Sequence, residues 1–206
     1  TVNKASKKIK ATDQVEISQT KQQFVSRSGH KLEAALKHFQ ISPRDFKCLD
    51  IGSSTGGFTE CLLLHGAREV FSVDVGSDQL HPSLLGNPKI KLFENTDFRD
   101  FKLDIPDLDL VVIDVSFISL RKIVPNLGDF LRSTTMVLAL FKPQFEVGKK
   151  HLKKGICRHP DLNQVIEEFR NFLQEYHVDF AEKPFVAPLK GKEGNQEYVI
   201  KFAPIT

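Results

Sequence analysis

Tryptophan is absent from this 206-residue chain, methionine occurs once and tyrosine twice, whereas phenylalanine occurs 17 times. Such an aromatic set builds a core and leaves little Trp or Tyr for surface recognition. No apolar run reaches the ~18–20 residues that a membrane span requires. The best candidates, 110–120 and 136–141, are too short, and the first carries Asp114. Membrane insertion is therefore not expected. The cysteines, Cys48, Cys61 and Cys157, are three in number and widely spaced. That excludes a paired disulfide framework and a zinc-type pattern, and fits buried thiols in a reducing, cytoplasmic compartment. The seven histidines show no ligand spacing, so no metal is expected. The chain begins at Thr1 rather than Met, without a signal-peptide core or a transit-like stretch, and is read as processed or cut.

What is present is unevenly distributed. The formal net charge is only +3, but residues 1–47 hold ten Lys/Arg against four acids, and residues 142–158 hold six against Glu146 alone. Two basic blocks on an acidic remainder point to a phosphate-rich partner. Length and composition suit one α/β domain with a small appendage. Leu32, Ala35, Leu36 and Phe39 fall at helical spacing before Pro43. Apolar, β-branched runs then recur at 47–51, 69–75, 89–94, 109–115 and 134–141. Helical stretches or short loops separate them at 56–65, 78–86 and 117–131, with another helix at 160–176. Buried strands alternating with helices predict a mostly parallel, doubly wound sheet. Two strand-like runs, 178–186 and 196–202, joined across Lys190 to Asn195, predict an antiparallel hairpin at its end. That layout is the Rossmann-like fold of S-adenosylmethionine-dependent methyltransferases.

The strongest local pattern is Asp50-Ile51-Gly52-Ser53-Ser54-Thr55-Gly56-Gly57-Phe58, a strand end, a glycine-rich turn and a helix start. Glycines there admit a ligand close to the backbone, and the helix start offers unpaired N–H groups. The spacing is neither the G-x-G-x-x-G of dinucleotide enzymes nor a P-loop, which would carry Gly-Lys-Ser/Thr. Asp50 before the first glycine suits an ammonium group. Asp74, followed by Val75, ends the next strand 22 residues beyond Gly52, where ribose hydroxyls are held in such sheets. Acid, glycines and acid fit S-adenosyl-L-methionine as cofactor. Asp97, after the third strand, could accept from the adenine amino group, or could equally be a turn residue or helix cap.

Polar residues at the carboxyl ends of later strands carry the rest, because ligands of such sheets bind there. Asp114 closes an apolar strand, Lys142 follows Leu140-Phe141 and precedes Pro143, Glu197 opens the last strand, and Lys31 lies in the helix before the first. Singly, each has a plain structural account; together they share the cofactor edge.

Ser26-Arg27-Ser28-Gly29-His30-Lys31-Leu32, residues 50–59, 111–120, Phe141-Lys142-Pro143-Gln144-Phe145-Glu146-Val147-Gly148 and Gly194-Asn195-Gln196-Glu197-Tyr198 resemble the hemolysin A (TlyA) family. This family sits within the FtsJ-like rRNA ribose 2′-O-methyltransferases. Ser28 and Ser53 depart from the family's usual Gly and Ala. The resemblance implies a Lys31–Asp114–Lys142–Glu197 catalytic tetrad and a ribosomal RNA or ribosomal-subunit substrate, with cytidine as the target nucleoside. It also implies that residues 1–20 are the end of an S4-like RNA-binding module ahead of a methyltransferase domain at 21–206. The chemistry agrees with the tetrad. A lysine near ~10.4 is charged at neutral pH; a neighbouring cation and a dry site lower its pKa, and a carboxylate raises it. Lys142 is thus read as the base and Lys31 as the neighbouring cation, with Asp114 and Glu197 orienting them. The competing readings are a membrane-active hemolysin, which predicts a spanning or strongly amphipathic segment, and a non-catalytic RNA-binding protein, which predicts decay of the tetrad or glycines.

Overall fold

The computed structural model describes residues 24–103, 107–159 and 161–205. The S4-like remnant expected at residues 1–20 lies outside the described residues. In chain order the described elements are α1 (Ser28–His38), β1 (Lys47–Ile51), α2 (Gly57–Leu64), β2 (Glu69–Val73), β3 (Ile90–Phe93), β4 (Leu110–Ile113), β5 (Met136–Phe141) and α3 (Pro143–Glu146). There follow β6 (Leu152–Lys153), β7 (Ile156–Cys157), α4 (Leu162–Gln174), β8 (Val178–Phe180), β9 (Phe185–Val186) and β10 (Tyr198–Pro204).

The main sheet runs β3-β2-β1-β4-β5-β10-β8, with β9 also on β10. Strands β1 to β5 are parallel, and β10 runs antiparallel to β5, Tyr198 facing Phe141. Both β8 and β9 pair antiparallel with β10. This is the expected doubly wound sheet with an antiparallel end.

Side chains alternate between two covered faces. Cys48, Leu110, Val112, Leu138, Leu140 and Val199 pack under α1 and α2 with Leu32, Leu36 and Leu62. Leu49, Ile51, Val111, Ile113, Val137, Phe141 and Ile200 pack on the other face against Val124, Phe130, Phe169 and Leu173. Burial of both faces explains why the central strands read as continuous apolar runs. Helix α4 buries Val165, Ile166, Phe169 and Leu173, a single stripe at helical spacing, and Asp161 caps it by accepting from the Asn163 and Gln164 amides.

Three segments differ from a simple strand–helix alternation. Residues 78–86 form turns, with Asp78 and Gly86 at positive φ and Pro82 between them. Residues 117–131 form three successive 3-10 turns, 120–122, 124–126 and 128–130, because Pro125 and Gly128 interrupt any longer helix. The 178–186 run is broken into β8 and β9 around Lys183-Pro184. The strand order reverses beside β1, whose neighbours are β2 and β4, so the loops after β1 and β4 diverge and open a crevice at the carboxyl edge.

Candidate active site

The crevice begins at Gly52, which leaves β1 with φ +84°; a Cβ there would stand 2.8 Å from the Asp114 carbonyl oxygen. Only glycine permits both that dihedral and that approach, so the tips of β1 and β4 are drawn together. The Gly52 and Ser53 amides both donate to Val73 O. Asp74 completes the turn from β2: its Oδ2 accepts from the Ser54 amide at 2.8 Å and its Oδ1 from the Gly76 amide at 2.7 Å. Gly56, at φ +91°, then opens α2 where a side chain would strike Leu80 and Leu84.

A cavity of about 790 Å³ runs from this turn across the sheet edge. Gly52, Ser53, Ser54, Thr55 and Phe58 of the turn line it, and so do Lys31, Asp114, Lys142 and Glu197. Four charged residues expected from dispersed positions thus meet in one space, and they meet as two pairs. Lys31 Nζ donates to Glu197 Oε2 at 2.5 Å, with the Glu197 side chain 4% exposed. Lys142 Nζ stands 2.6 Å from Asp114 Oδ1, an ion pair whose angle falls outside hydrogen-bond geometry. Lys142 donates instead to Val115 O at 2.9 Å and Ser116 Oγ at 2.8 Å. Burial of these ions is tolerable only because each has a partner.

Other expected site residues lie elsewhere. Asp50 faces α2 beneath the turn, fully buried, and accepts from Thr59 Oγ1, which in turn contacts Ser72 Oγ. Burial raises its carboxyl to about 7, opposed by the Thr59 hydrogen bond and assisted by Asp114 and Asp74. Gly56, Gly57, Asp74 and Val75 flank the cavity without lining it, and Val75 is largely exposed. Asp97 is the N-cap of a 3-10 turn: it accepts from the Arg99 amide and pairs with its guanidinium, which holds the carboxyl below the usual carboxylate range. Of the two alternatives for Asp97, the cap is the one the geometry displays. Cys48 and Cys61 are buried, and desolvation pushes both thiols well up, leaving them inert.

In and beside the cavity are residues that sequence reasoning passed over. Ser116 aims Lys142. Phe117, 93% exposed at φ +64°, lies at the rim 5.6 Å from the Phe145 ring. Glu146 reaches back to accept from Ser119 Oγ and the Leu120 amide, tying the loop after β5 to the loop after β4. Asn195 is buried and binds the β6–β7 hairpin. Position beside Asp114, Lys142 and Glu197 was the available signal. Ser53 Oγ and Gln144 Oε1, both on cavity-lining residues, are buried without partners, as polar groups awaiting a ligand are.

The sequence profile of the FtsJ-like methyltransferases matches residues 24–203. The chain belongs to the FtsJ-like methyltransferase family. Hemolysin A of Brachyspira hyodysenteriae is 39% identical over 95% of this chain and 82% of its own length. The 23S rRNA (cytidine-2′-O)-methyltransferase TlyA of Campylobacter jejuni is 39% identical over 92% of this chain and 75% of its own. A solved structure described as a hemolysin from Streptococcus thermophilus superposes with a TM-score of 0.84 at 37% identity, covering 89% of this chain and 68% of that one. The expected resemblance to the hemolysin A (TlyA) group therefore holds, and this FtsJ-like chain is a methyltransferase. Among the described residues no helix is long and apolar enough to cross a membrane, and no group of His, Cys, Asp and Glu could hold a metal.

Proposed function

We propose that this chain, acting in the cytoplasm, transfers the methyl group of S-adenosylmethionine to a ribose 2′-hydroxyl of ribosomal RNA, a cytidine as in the named activity of the Campylobacter relative. The observation that carries the reading is the convergence of two lysine–carboxylate pairs on a cavity that begins at the glycine turn. The residues fit the cofactor: the Gly52 cradle excludes a side chain, Ser53 Oγ is an unused donor and acceptor, and Asp74 stands at the end of β2 where a ribose would lie. S-adenosylmethionine would supply a methyl on a sulfonium whose thioether departs uncharged.

The chain's own work is to hold the hydroxyl in line and take its proton. Lys142 is the base in this reading. Its nitrogen donates to Val115 O and Ser116 Oγ and is ion-paired with Asp114, contacts that suit an ammonium. As an amine it would keep two of those contacts as donor and turn its lone pair to the hydroxyl, becoming an ammonium as the oxygen–methyl bond forms. Lys31 supplies the neighbouring cation, and Glu197 holds it in place. RNA would meet the basic block at 142–158 and the exposed ring of Phe117, which offers a face to a base. Residues 1–20, read as the end of an S4-like module, would add phosphate contacts.

Calorimetry with S-adenosylmethionine, S-adenosylhomocysteine and NAD tests the cofactor. The first two should bind, NAD should not, and Asp74→Ala should lose affinity through both the absent carboxylate and the released turn. Tight NAD binding, or an indifferent Asp74→Ala, would overturn the assignment.

A further inference from the structure

We propose that Asn195 is a positioning residue that latches the basic β6–β7 hairpin over the catalytic cavity, joining the RNA-facing cations to the Lys31–Glu197 pair. The proposal rests on the functional reading above and adds a residue that neither the tetrad nor the cofactor turn includes.

The hairpin is short. Leu152 pairs with Cys157 and Lys153 with Ile156, across a two-residue turn in which Lys154 and Gly155 have φ +51° and +77°. Positive φ at both central positions is the type I′ arrangement that matches strand twist. Yet an isolated two-stranded hairpin is marginal in water. This one has little core to rest on: Leu152, Ile156 and Cys157 are only half-buried, while Lys153, Lys154 and Gly155 are exposed.

Asn195 supplies what is missing. Its Oδ1 accepts from the Cys157 amide at 2.8 Å and its Nδ2 donates to Gly155 O at 2.9 Å, across separations of 38 and 40 residues. One buried side-chain amide thus holds the strand and the turn of the hairpin together. Its own carbonyl accepts from the Gly191 amide at 2.9 Å, and a side chain on Gly191 would meet Glu197 Oε1 at 2.5 Å. Glu197 follows two residues later and is bound to Lys31. Leu152 and Gly155 line the cavity from the hairpin, and Lys192 and Glu193 from the Asn195 loop. Displacement of the hairpin by an RNA phosphate is therefore transmitted to the loop that carries Glu197.

The test is a double-mutant cycle between Asn195→Ala and Lys153→Ala/Lys154→Ala, with rRNA as substrate and hydrogen exchange of the unliganded protein as a second readout. Asn195→Ala should speed exchange of peptides spanning 149–159 at least tenfold and raise KM for rRNA by roughly tenfold, equivalent to ~1.4 kcal/mol. Affinity for S-adenosylmethionine should stay within twofold. In the Lys153→Ala/Lys154→Ala background the same substitution should add less than a further twofold to KM, because the latch acts through those cations. Asn195→Asp keeps the acceptor for Cys157 but sets a buried carboxylate oxygen against Gly155 O, and should loosen the hairpin at least as much as Asn195→Ala. Unchanged hairpin exchange, or fully multiplicative effects on KM, would overturn the latch. A wild-type protein inactive on rRNA would instead refute the functional reading, and exchange alone would then decide the latch.

Discussion

The two sets of residues that line the cavity, those of the glycine turn and those of the lysine pairs, are built by different means. The glycine-turn set is sheet-borne: β1 and β2 deliver Gly52 and Asp74, and backbone amides of residues 52, 53, 54 and 76 knit the turn to Val73 O and the Asp74 carboxylate. The lysine set is assembled from loops after β4 and β5, from α1, and from the approach to β10. It is held by side chains reaching across chain separations, Glu146 to Leu120, Lys31 to Glu197, Asn195 to Cys157. A rigid part suits a cofactor of one shape, and a part made of loops suits a large substrate that must dock and leave. Side-chain ties set its stiffness.

Separating the two sets by mutation should give effects of different kind and size. Lys142→Ala should lower methyl transfer by about 10²–10⁴-fold, the range for loss of a general base. Affinity for S-adenosylmethionine, which the proposed function assigns to the glycine turn, should stay within a few-fold by calorimetry. Lys31→Met strands Glu197 in a buried site and should cost about 3–5 kcal/mol in denaturant unfolding. The double variant Lys31→Met/Glu197→Met should regain most of that stability and none of the activity. Gly52→Ala forces a β-carbon against Asp114 O at φ +84°, at a cost of about 1–3 kcal/mol. It should cost cofactor affinity more than Lys142→Ala does, and a variant that bound the cofactor normally would erase the contrast between the sets.

A further effect is one of pH. Asp50 has its carboxyl raised from 3.8 to about 7 by burial. The folded state then holds a proton that the unfolded chain releases, so stability is greatest below about pH 4 for this group and falls as pH rises toward 7. Asp50→Asn should remove that downward contribution, seen as a flatter stability profile between pH 4 and 7 than in wild type. An unchanged slope would show that the buried carboxyl finds a partner for Oδ1.

The sheet-borne part was legible because strands, glycines and the acid after β2 follow one another in register with the fold. Asp50 is the turn residue whose side-chain direction the motif alone did not display. Strand alternation sets Asp50 opposite in face to Leu49 and Ile51, on the α2 side, where Thr59 waits. Asp97 was ambiguous for a different reason: a capping carboxylate and a ligand-binding one look alike until Arg99 is seen to occupy it. In the loop-borne part Asp114 and Lys142 stood out as charges interrupting apolar sequence, whereas Lys31 and Glu197 were singled out by their expected place at the cofactor edge and by the family resemblance. The β6–β7 hairpin carries no periodicity long enough to notice, only Lys154-Gly155 at its turn. Asn195 and Glu146 act through backbone groups tens of residues away, and pairing of that kind leaves no local pattern.

The most direct measurement is nucleotide-resolution mapping of the product formed on ribosomal RNA by wild type and Lys142→Arg, each first shown to bind S-adenosylmethionine. A guanidinium keeps the charge and the Asp114 pair but cannot be deprotonated near neutral pH. Wild type should place its methyl on a ribose 2′-oxygen, and Lys142→Arg should place none. A methyl on a base, or substantial ribose methylation by Lys142→Arg, would contradict the account.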